Sequence, residues 1–205
     1  PIEISATPMN TGAENVKHLY YMVHASDRYE VLKRLADMNP NIYGIVFCRT
    51  RRETKEIANK LIQDGYNADA IHGELTQAQR DDVMGRFRSH QLQLLVATDV
   101  AARGLDVTDL THIINYDLPD DIEVYIHRSG RTGRAGKSGI SIAIIHMRET
   151  GKLKDIERKF KITFSKELVP SGRDICQKQL YSLIDKIEKV QVDDYQIEPF
   201  LPAIY

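Results

Sequence analysis

Short apolar runs alternate with amphipathic stretches along most of this chain, and this alternation constrains the fold more than any other feature of the sequence. Several apolar runs are hydrophobic at every position, as expected of strands that are covered on both faces. Such alternation is typical of a parallel sheet with helices packed on it. The predicted strands are residues 16–24, 44–48, 68–71, 92–97, 112–116 and 140–145, and the predicted helices between them are 28–38, 52–64, 76–88 and 120–126. We therefore expect an α/β fold with a parallel sheet and helices on both of its faces.

The two ends of the chain differ from this central region. Residues 1–14 show no sustained periodicity, so we interpret them as a linker that precedes one domain at 15–164. A charged helix is predicted over 150–160, at the end of that domain, and a helical extension follows at 165–205. Within the extension, residues 173–190 predict one long amphipathic helix with an apolar stripe packed inward. The stripe contains Ile175, Leu180, Leu183, Ile184 and Ile187.

The charge balance limits how the chain could bind nucleic acid. With 28 basic and 29 acidic residues the formal net charge is −1, whereas domains that bind nucleic acid through overall charge are strongly basic. RNA contacts would therefore depend on local groups of arginines, such as Arg49, Arg51 and Arg52. The two cysteines and seven histidines lack metal-site spacing, so we expect no bound metal. We find neither a signal peptide nor an apolar run of roughly 20 residues, which predicts a cytoplasmic protein with reduced thiols.

A glycine- and arginine-rich segment at 130–136 is the first candidate site. Arg131 and Arg134 lie three residues apart, each beside a glycine, and glycine lets a backbone approach a ligand closely. Arginine suits phosphate because it stays charged and donates two parallel hydrogen bonds. A basic surface turn or an RGG-like disordered tract is the alternative, which is weakened because the segment lies between a predicted helix and a predicted strand. Gly136-Lys137-Ser138 ends like a P-loop, but Arg131 stands where a P-loop needs its first glycine.

Residues 97–106 form the second candidate site. They follow a predicted strand, at the sheet edge where open α/β folds bind ligands. The hydroxyl of Thr98 can bond a phosphate oxygen, and the carboxylate of Asp106 can accept from ribose hydroxyls. Asp99 and Arg103 have the i,i+4 spacing of a helical ion pair. A capped helix without a ligand is therefore as good an interpretation of this segment alone.

Further polar residues are weak signals when taken singly. Arg49 and Gly73 each follow a predicted strand, and Gln77 and Arg80 share one face of a predicted helix. His72, as a lone histidine, is more often a structural residue than a ligand.

Taken together and in this order, the segments resemble the C-terminal helicase domain of the DEAD-box ATP-dependent RNA helicases, in helicase superfamily 2. Residues 45–50 resemble motif IV, 77–80 motif IVa, 97–106 motif V and 125–136 motif VI. His127 favours the DEAD-box branch, because related families commonly begin motif VI with glutamine. Ser129 stands where many DEAD-box relatives have isoleucine. The resemblance extends over about residues 1–163 and implies a RecA-like fold.

The resemblance also implies roles for the matching residues. Arg131 and Arg134 match arginines that reach the ATP phosphates bound by the other RecA-like domain. Asp106 matches the residue that contacts the ATP ribose, and we count Gly104 among the ATP-binding residues. The residues that match the RNA backbone path are Arg49, Gly73, Gln77, Arg80 and Thr98. The residues that match the coupling between the two sites across the domain interface are Asp99, His127 and Arg128.

Several motifs of the first RecA-like domain are not found in this sequence, namely Walker A, Asp-Glu-Ala-Asp, Ser-Ala-Thr and the adenine-reading Gln motif. The resemblance therefore implies a fragment that is inactive alone, with ATP as cofactor and Mg²⁺ bound mainly by the other domain. The expected partners are RNA, single-stranded or duplex, and the N-terminal RecA-like domain of the same protein, with no membrane. ATP and RNA binding would both favour closure of the two domains, which couples them.

The extension resembles, less specifically, the segment that follows the helicase core in the bacterial DeaD/CsdA cold-shock branch. This implies RNA remodelling, ribosome assembly and a homodimer contact, although packing of the helix on its own domain is slightly favoured here. A non-catalytic RNA-binding or dimerising module with a RecA-like fold is the main alternative to a helicase, and the arginine pair argues against it. A superfamily 2 DNA translocase is a third interpretation, which His127 disfavours.

Overall fold

The computed structural model describes residues 15–105, 107–133 and 136–189. Seven strands of these residues form one sheet in the order β3-β4-β2-β5-β6-β1-β7, and every pairing is parallel. The strands are β1 (Val16–Met22), β2 (Gly44–Phe47), β3 (Ala68–Ile71), β4 (Leu94–Ala97), β5 (His112–Asn115), β6 (Gly139–Ile145) and β7 (Phe164–Lys166). The predicted parallel sheet is therefore confirmed.

Helices cover both faces of the sheet, as predicted. They are α1 (Arg28–Met38), α2 (Arg51–Gln63), α3 (Gln77–Arg88), α4 (Asp99–Ala102), α5 (Ile122–Ser129), α6 (Thr150–Phe160) and α7 (Gly172–Glu188). Successive strand residues point to opposite faces. Val46 accordingly packs in the core beneath α1 and α2, whereas Ile45 and Phe47 pack beneath α3 and α4. A third cluster joins α5 and α6 to the same face as α3 and α4.

Side-chain caps set the starts of several helices. Thr76 precedes α3 and forms a capping box, in which its hydroxyl accepts from the Gln79 amide and the Gln79 side chain accepts from the Thr76 amide. Thr50 caps α2 and Asp121 caps α5 through their side chains alone, which accept from the Glu53 and Glu123 amides. α2 starts one residue before its predicted bound because Thr50 is its cap, and α5 starts two residues later than predicted because Asp121 is its cap. Gly65, the predicted C-terminal glycine of α2, has φ +87°.

One strand was not predicted. β7 is three residues long and pairs with β1 at the edge of the sheet, with His18 opposite Phe164. Three residues are too few to show an alternating pattern, so only the pairing with β1 identifies the strand. β7 also crosses the predicted domain boundary between residues 164 and 165. The sheet thus includes the first residues of the predicted extension.

The inward packing predicted for the helix at 173–190 is wrong. α7 lies against α1, with Arg34 Nη1 donating to the Pro170 carbonyl at 3.0 Å and Gln179 Nε2 to the Asp37 carbonyl at 3.3 Å. Its apolar stripe nevertheless remains exposed, as Leu180, Leu183, Ile184 and Ile187 are between 41% and 62% accessible. A helical period shows that apolar residues share a face, but it does not show what covers that face. The predictions for residues 1–14 and 190–205 lie outside the described residues.

Candidate functional site

The polar segments predicted as sites meet at the carboxyl edge of the sheet. β3, β4 and β2 are neighbours, and their carboxyl ends lead to Gly73, Thr98 and Arg49. Because the strands are parallel, all of their carboxyl ends lie at the same edge. The fold therefore brings together three segments that are far apart in sequence.

Arg128 and Asp99 form the centre of this edge. Arg128 Nε and Nη2 donate to the two carboxylate oxygens of Asp99 at 2.6 and 2.7 Å. Its Nη1 donates to Asn115 Oδ1 at 2.9 Å and to the Asp117 carbonyl at 2.8 Å. The guanidinium also lies 4.7 Å from the centre of the Phe47 ring. With a side chain only 2% exposed, Arg128 links α5 to α4 and β5 and does not reach out of the domain.

This arrangement corrects one interpretation of the sequence. Asp99 and Arg103 have helical i,i+4 spacing, but α4 ends at Ala102 and the backbone of Arg103 is extended, with ψ 135°. Asp99 instead pairs with Arg128, 29 residues away. The helix pattern could not reveal this because the pair depends on how α4 and α5 lie on the sheet.

A cavity of about 310 Å³ opens beside this ion pair. Arg131 lies at its wall, and its Nη1 donates to the Leu105 carbonyl at 3.0 Å. Gly104, with φ +71°, leaves open space where a side chain would stand. The residues that line the cavity are Phe47, Asp99, Ala102, Arg103, Gly104, Val124, His127, Arg128 and Arg131. Asp106 and Arg134, which the sequence also places at this site, lie outside the described residues.

The loop that carries Arg131 is fixed to the body of the domain by tight contacts. Thr132 is buried and its hydroxyl donates to the Leu110 carbonyl. Gly133 has φ +70°, and a Cβ there would lie 2.7 Å from Val16 Cγ2. A Cβ on Gly139 would meet the Thr132 side chain and lie 2.5 Å from the Gly133 amide nitrogen. Both glycines are thus required by close packing against their neighbours.

Only two of the residues predicted to bind RNA share a contact among the described residues. Arg80 and Thr98 converge on Ala101, since Arg80 Nη2 donates to the Ala101 carbonyl at 2.7 Å and Thr98 Oγ1 accepts from the Ala101 amide at 3.4 Å. Gln77 instead donates to Asp81 of its own helix at 2.8 Å. Arg49 lies at the other side of the edge, where its Nη2 is 3.3 Å from Asp120 Oδ1. Gly73 has open space where a Cβ would stand.

A buried charge cluster at this edge was not predicted from the sequence. Arg28, the first residue of α1, donates through Nη1 to Asp117 Oδ1 at 2.5 Å and through Nη2 to Glu149. Burial, together with a hydrogen bond that the protonated carboxyl donates to the neighbouring Asp117, raises the pKa of Glu53 to about 7. The Arg49 amide donates to Glu53 Oε2 at 3.2 Å. No periodic pattern marks such a cluster, because its members come from four separate segments.

His72 agrees with the structural interpretation of a lone histidine. It is buried, its Nδ1 accepts from the Glu74 amide at 3.3 Å, and burial lowers its pKa. Among the described residues, no three histidine, cysteine or acidic side chains come together as a metal site. In the same part of the chain, no helix combines the length and the hydropathy that crossing a membrane requires.

Comparison with known proteins agrees with this geometry. Residues 27–136 match the family model described as helicase conserved C-terminal domain, and residues 175–205 match the model described as probable ATP-dependent RNA helicase, helical domain. The chain is 40% identical over 188 residues to the DEAD-box ATP-dependent RNA helicase CshA of Bacillus cereus, covering 92% of this chain and 36% of that protein. The chain thus spans about a third of the length of this curated relative.

Solved structures give the same result. A DEAD box protein from the hyperthermophile Methanococcus jannaschii is 48% identical with a TM-score of 0.70, over 75% of this chain and 42% of that one. The S. cerevisiae protein Dbp5, in a structure bound to RNA and ADP BeF3, is 28% identical with a TM-score of 0.72, over 85% of this chain and 46% of that one. The chain therefore belongs to the helicase conserved C-terminal domain family, as the C-terminal RecA-like domain of the DEAD-box type.

Proposed function

We propose that this domain completes an ATPase site together with a second RecA-like domain. Arg131 and Arg134 act as arginine fingers on the phosphates of ATP held by that domain, Asp106 contacts the ribose of ATP, and Gly104 also contacts ATP. The observation that carries the proposal is the position of Arg131 at the wall of an open cavity at the carboxyl edge of the sheet. Open α/β sheets bind their ligands at this edge.

The charges of the cavity suit an anionic ligand. Asp99 is the acidic residue of the lining, and its carboxylate is already bound by Arg128. Arg103 and Arg131 add further positive charge, and arginine forms paired hydrogen bonds with phosphate oxygens. The backbone at Gly104 is open to close approach. The resemblance to the C-terminal domain of DEAD-box helicases favours a Mg²⁺ ion that is bound mainly by the partner domain.

Hydrolysis would then depend on closure of two domains. Phosphoryl transfer is catalysed mainly by positioning and by stabilisation of negative charge, so a finger on one domain acts only when the other domain brings the phosphate to it. We call residues 130–133, which carry Arg131, the finger loop. The ion pair of Arg128 and Asp99 connects α5, the helix before this loop, to α4, whose N-terminal cap is the proposed RNA contact Thr98. We propose that this ion pair, with the exposed His127, couples ATP and RNA binding to one open–closed equilibrium.

RNA would be bound along the sheet edge through its sugar–phosphate backbone. The proposed contacts are Arg49, Gly73, Gln77, Arg80 and Thr98. Contacts with the backbone position a strand without reading its sequence. We propose that the full-length protein is a cytoplasmic ATP-dependent RNA helicase that separates or remodels RNA duplexes, and that this domain alone does not hydrolyse ATP.

Substitution of the finger tests the proposal. In the full-length protein, Arg131→Ala should lower RNA-stimulated ATP turnover by about 10³-fold, the lower end of the contribution of an arginine finger, and leave ATP affinity nearly unchanged. Arg158→Ala is the matched control, because Arg158 lies on α6 with 81% of its side chain exposed. Turnover retained in Arg131→Ala, as in the control, would refute the assignment.

A double substitution tests the proposed RNA contacts along the sheet edge. Arg80→Ala combined with Thr98→Ala should weaken binding of single-stranded RNAs of different sequence by similar factors, because backbone contacts carry no sequence information. The single variant Thr98→Ser, with Arg80 unchanged, is the control, because serine keeps the hydroxyl that caps α4. A loss confined to particular RNA sequences would argue against backbone contacts.

We also propose that α7 forms a homodimer contact. Its exposed stripe of Leu180, Leu183, Ile184 and Ile187 supports this function, because a contiguous apolar face on a helix is a common site of protein association. The test is light scattering of the chain over a range of concentrations, with Leu183→Glu as the disrupting variant. A mass that stays monomeric at every concentration would rule out the dimer.

A further inference from the structure

Four buried polar residues form a hydrogen-bonded chain on the inner side of α5. His18 of β1 and Ser141 of β6 lie opposite one another in the sheet, and Tyr125 and Ser129 face them from α5. Tyr125 Oη lies 2.8 Å from His18 Nδ1 and 3.0 Å from Ser141 Oγ. Ser129 Oγ lies 2.9 Å from Ser141 Oγ and 2.9 Å from the Tyr125 carbonyl. All four side chains are buried.

The direction of this chain follows from the donors that are available. The Tyr125 carbonyl can only accept, so Ser129 donates to it, and Ser129 must in turn accept from Ser141. The proton of Ser141 is then used, so Ser141 accepts from the Tyr125 hydroxyl. Tyr125 therefore accepts from His18, which fixes the proton of the neutral imidazole on Nδ1.

This assignment also accounts for the other nitrogen of His18. Nε2 is buried and has no hydrogen-bond partner in the described part of the chain. With the proton on Nδ1, Nε2 is an unprotonated acceptor, and unsatisfied buried acceptors are tolerated more often than unsatisfied N–H donors. Burial lowers the pKa of His18 to about 4, so the neutral form is the one present near neutral pH. Each of the four donors has one acceptor, and such chains strengthen their members cooperatively.

The hydrogen-bonded chain ends at Ser129, where the finger loop begins. The Arg131 amide donates to the Arg128 carbonyl at 3.1 Å, and the Thr132 amide donates to the Ser129 carbonyl at 3.1 Å. A shift of Ser129 along the axis of α5 would therefore move the backbone of the loop. The adjacent residue Arg128 is held by Asp99 and Asn115. α5 is thus fixed by directional contacts at Tyr125, Arg128 and Ser129.

We propose that His18, Tyr125, Ser141 and Ser129 position the finger loop, so that Ser129 is a positioning residue for Arg131. The inference rests on the proposed function. An aliphatic side chain in place of Ser129 would fill space at this position without fixing a direction. The Ser129 hydroxyl instead defines the position of α5 along its own axis relative to β6. This position sets how far Arg131 must extend to contact the phosphates of ATP.

Removal of one hydroxyl tests the proposal in the full-length protein. A displacement of about 1 Å in a catalytic group can cost about 10²-fold in rate, so a fraction of that shift predicts about a tenfold lower kcat for Ser129→Ala. The KM for ATP should stay within about twofold of the original, since binding does not depend on the final position of the finger. Thr54→Val is the matched control, because Thr54 is equally buried and its hydroxyl also donates to the carbonyl four residues earlier, on the other face of the sheet.

A second variant, Tyr125→Phe, distinguishes a loss of positioning from a folding defect. It also allows the coupling between Tyr125 and Ser129 to be measured. Tyr125→Phe keeps the ring and breaks the chain at its centre, and thermal unfolding of each variant identifies the folded fraction. If the residues act as one chain, the double variant should have the kcat of the slower single variant. Effects on kcat that multiply, or an unchanged kcat in both folded single variants, would overturn the proposal.

The same assay distinguishes failure of the proposed function from failure of the positioning role. If Arg131→Ala keeps its turnover in the same assay, the finger assignment is wrong, whatever Ser129→Ala does. If Arg131→Ala loses turnover and the folded Ser129→Ala variant does not, only the positioning role is wrong.

Discussion

Removal of the Asp99 carboxylate is expected to destabilise the domain strongly. Asp99→Ala takes away the acceptor for two hydrogen bonds from Arg128, a cation whose side chain is 2% exposed. Breaking a buried ion pair typically costs about 3–5 kcal/mol, because the remaining charge stays desolvated. The carboxylate of Asp99 is itself 37% exposed, so water can partly replace it. Arg128 also keeps its bonds to Asn115 and to the Asp117 carbonyl.

We therefore expect a smaller loss, of about 2–3 kcal/mol in the free energy of unfolding. For a domain of this size, that loss corresponds to a Tm that is lower by roughly 5–10 °C. Thermal unfolding followed by circular dichroism measures it directly on this chain. Asp99→Asn, which keeps one acceptor oxygen and the side-chain shape, should fall between the original and Asp99→Ala.

An exposed ion pair provides the control. Glu30→Ala removes the pairing of Glu30 with Arg34 on α1, where the side chains are 55% and 38% exposed. Exposed pairs contribute little, so this variant should unfold at nearly the original temperature. If Asp99→Ala lowers the Tm no more than Glu30→Ala does, the burial of Arg128 does not make the pair important, and the reasoning is wrong.

Three further outcomes are expected. Gly139→Ala should lower the free energy of unfolding by about 1–3 kcal/mol, measured in urea, because its Cβ would meet the side chain of Thr132. Burial lowers the pKa of His112 from 6.5 to about 4, so below pH 6.5 the unfolded chain binds a proton that the native chain does not. This histidine should therefore cost about 2 kcal/mol of stability between pH 7 and pH 5, a loss that His112→Gln should abolish. Thiol labelling of the native chain should modify the exposed Cys176 and spare Cys48, which is buried and whose pKa burial raises, and equal rates at both would contradict the described packing.

The sequence determined the class of fold and most of its elements. α1 and α6 have the bounds that their periodicity predicts, and Thr76 caps α3 as expected. These features depend on neighbours within about one helical turn, so local chemistry is sufficient to specify them. The order of short apolar runs also implied a parallel sheet, and a parallel sheet gathers the segments that follow its strands at one edge. Gly73 and Thr98, which each follow a strand, both lie at this edge.

The tertiary structure decided which polar groups meet. Asp99 pairs with Arg128 and not with Arg103, because α4 is a single turn and α5 packs beside it. The chain from His18 to Ser129 joins β1, β6 and α5, so neither strand period nor helix period marks it.

The surroundings of α7 and its apolar stripe were likewise decided by the tertiary structure. Its period is evident in the sequence, yet Leu183 is exposed in the fold. Periodicity fixes which residues share a face, whereas burial and charge pairing depend on contacts between segments that are distant in the chain.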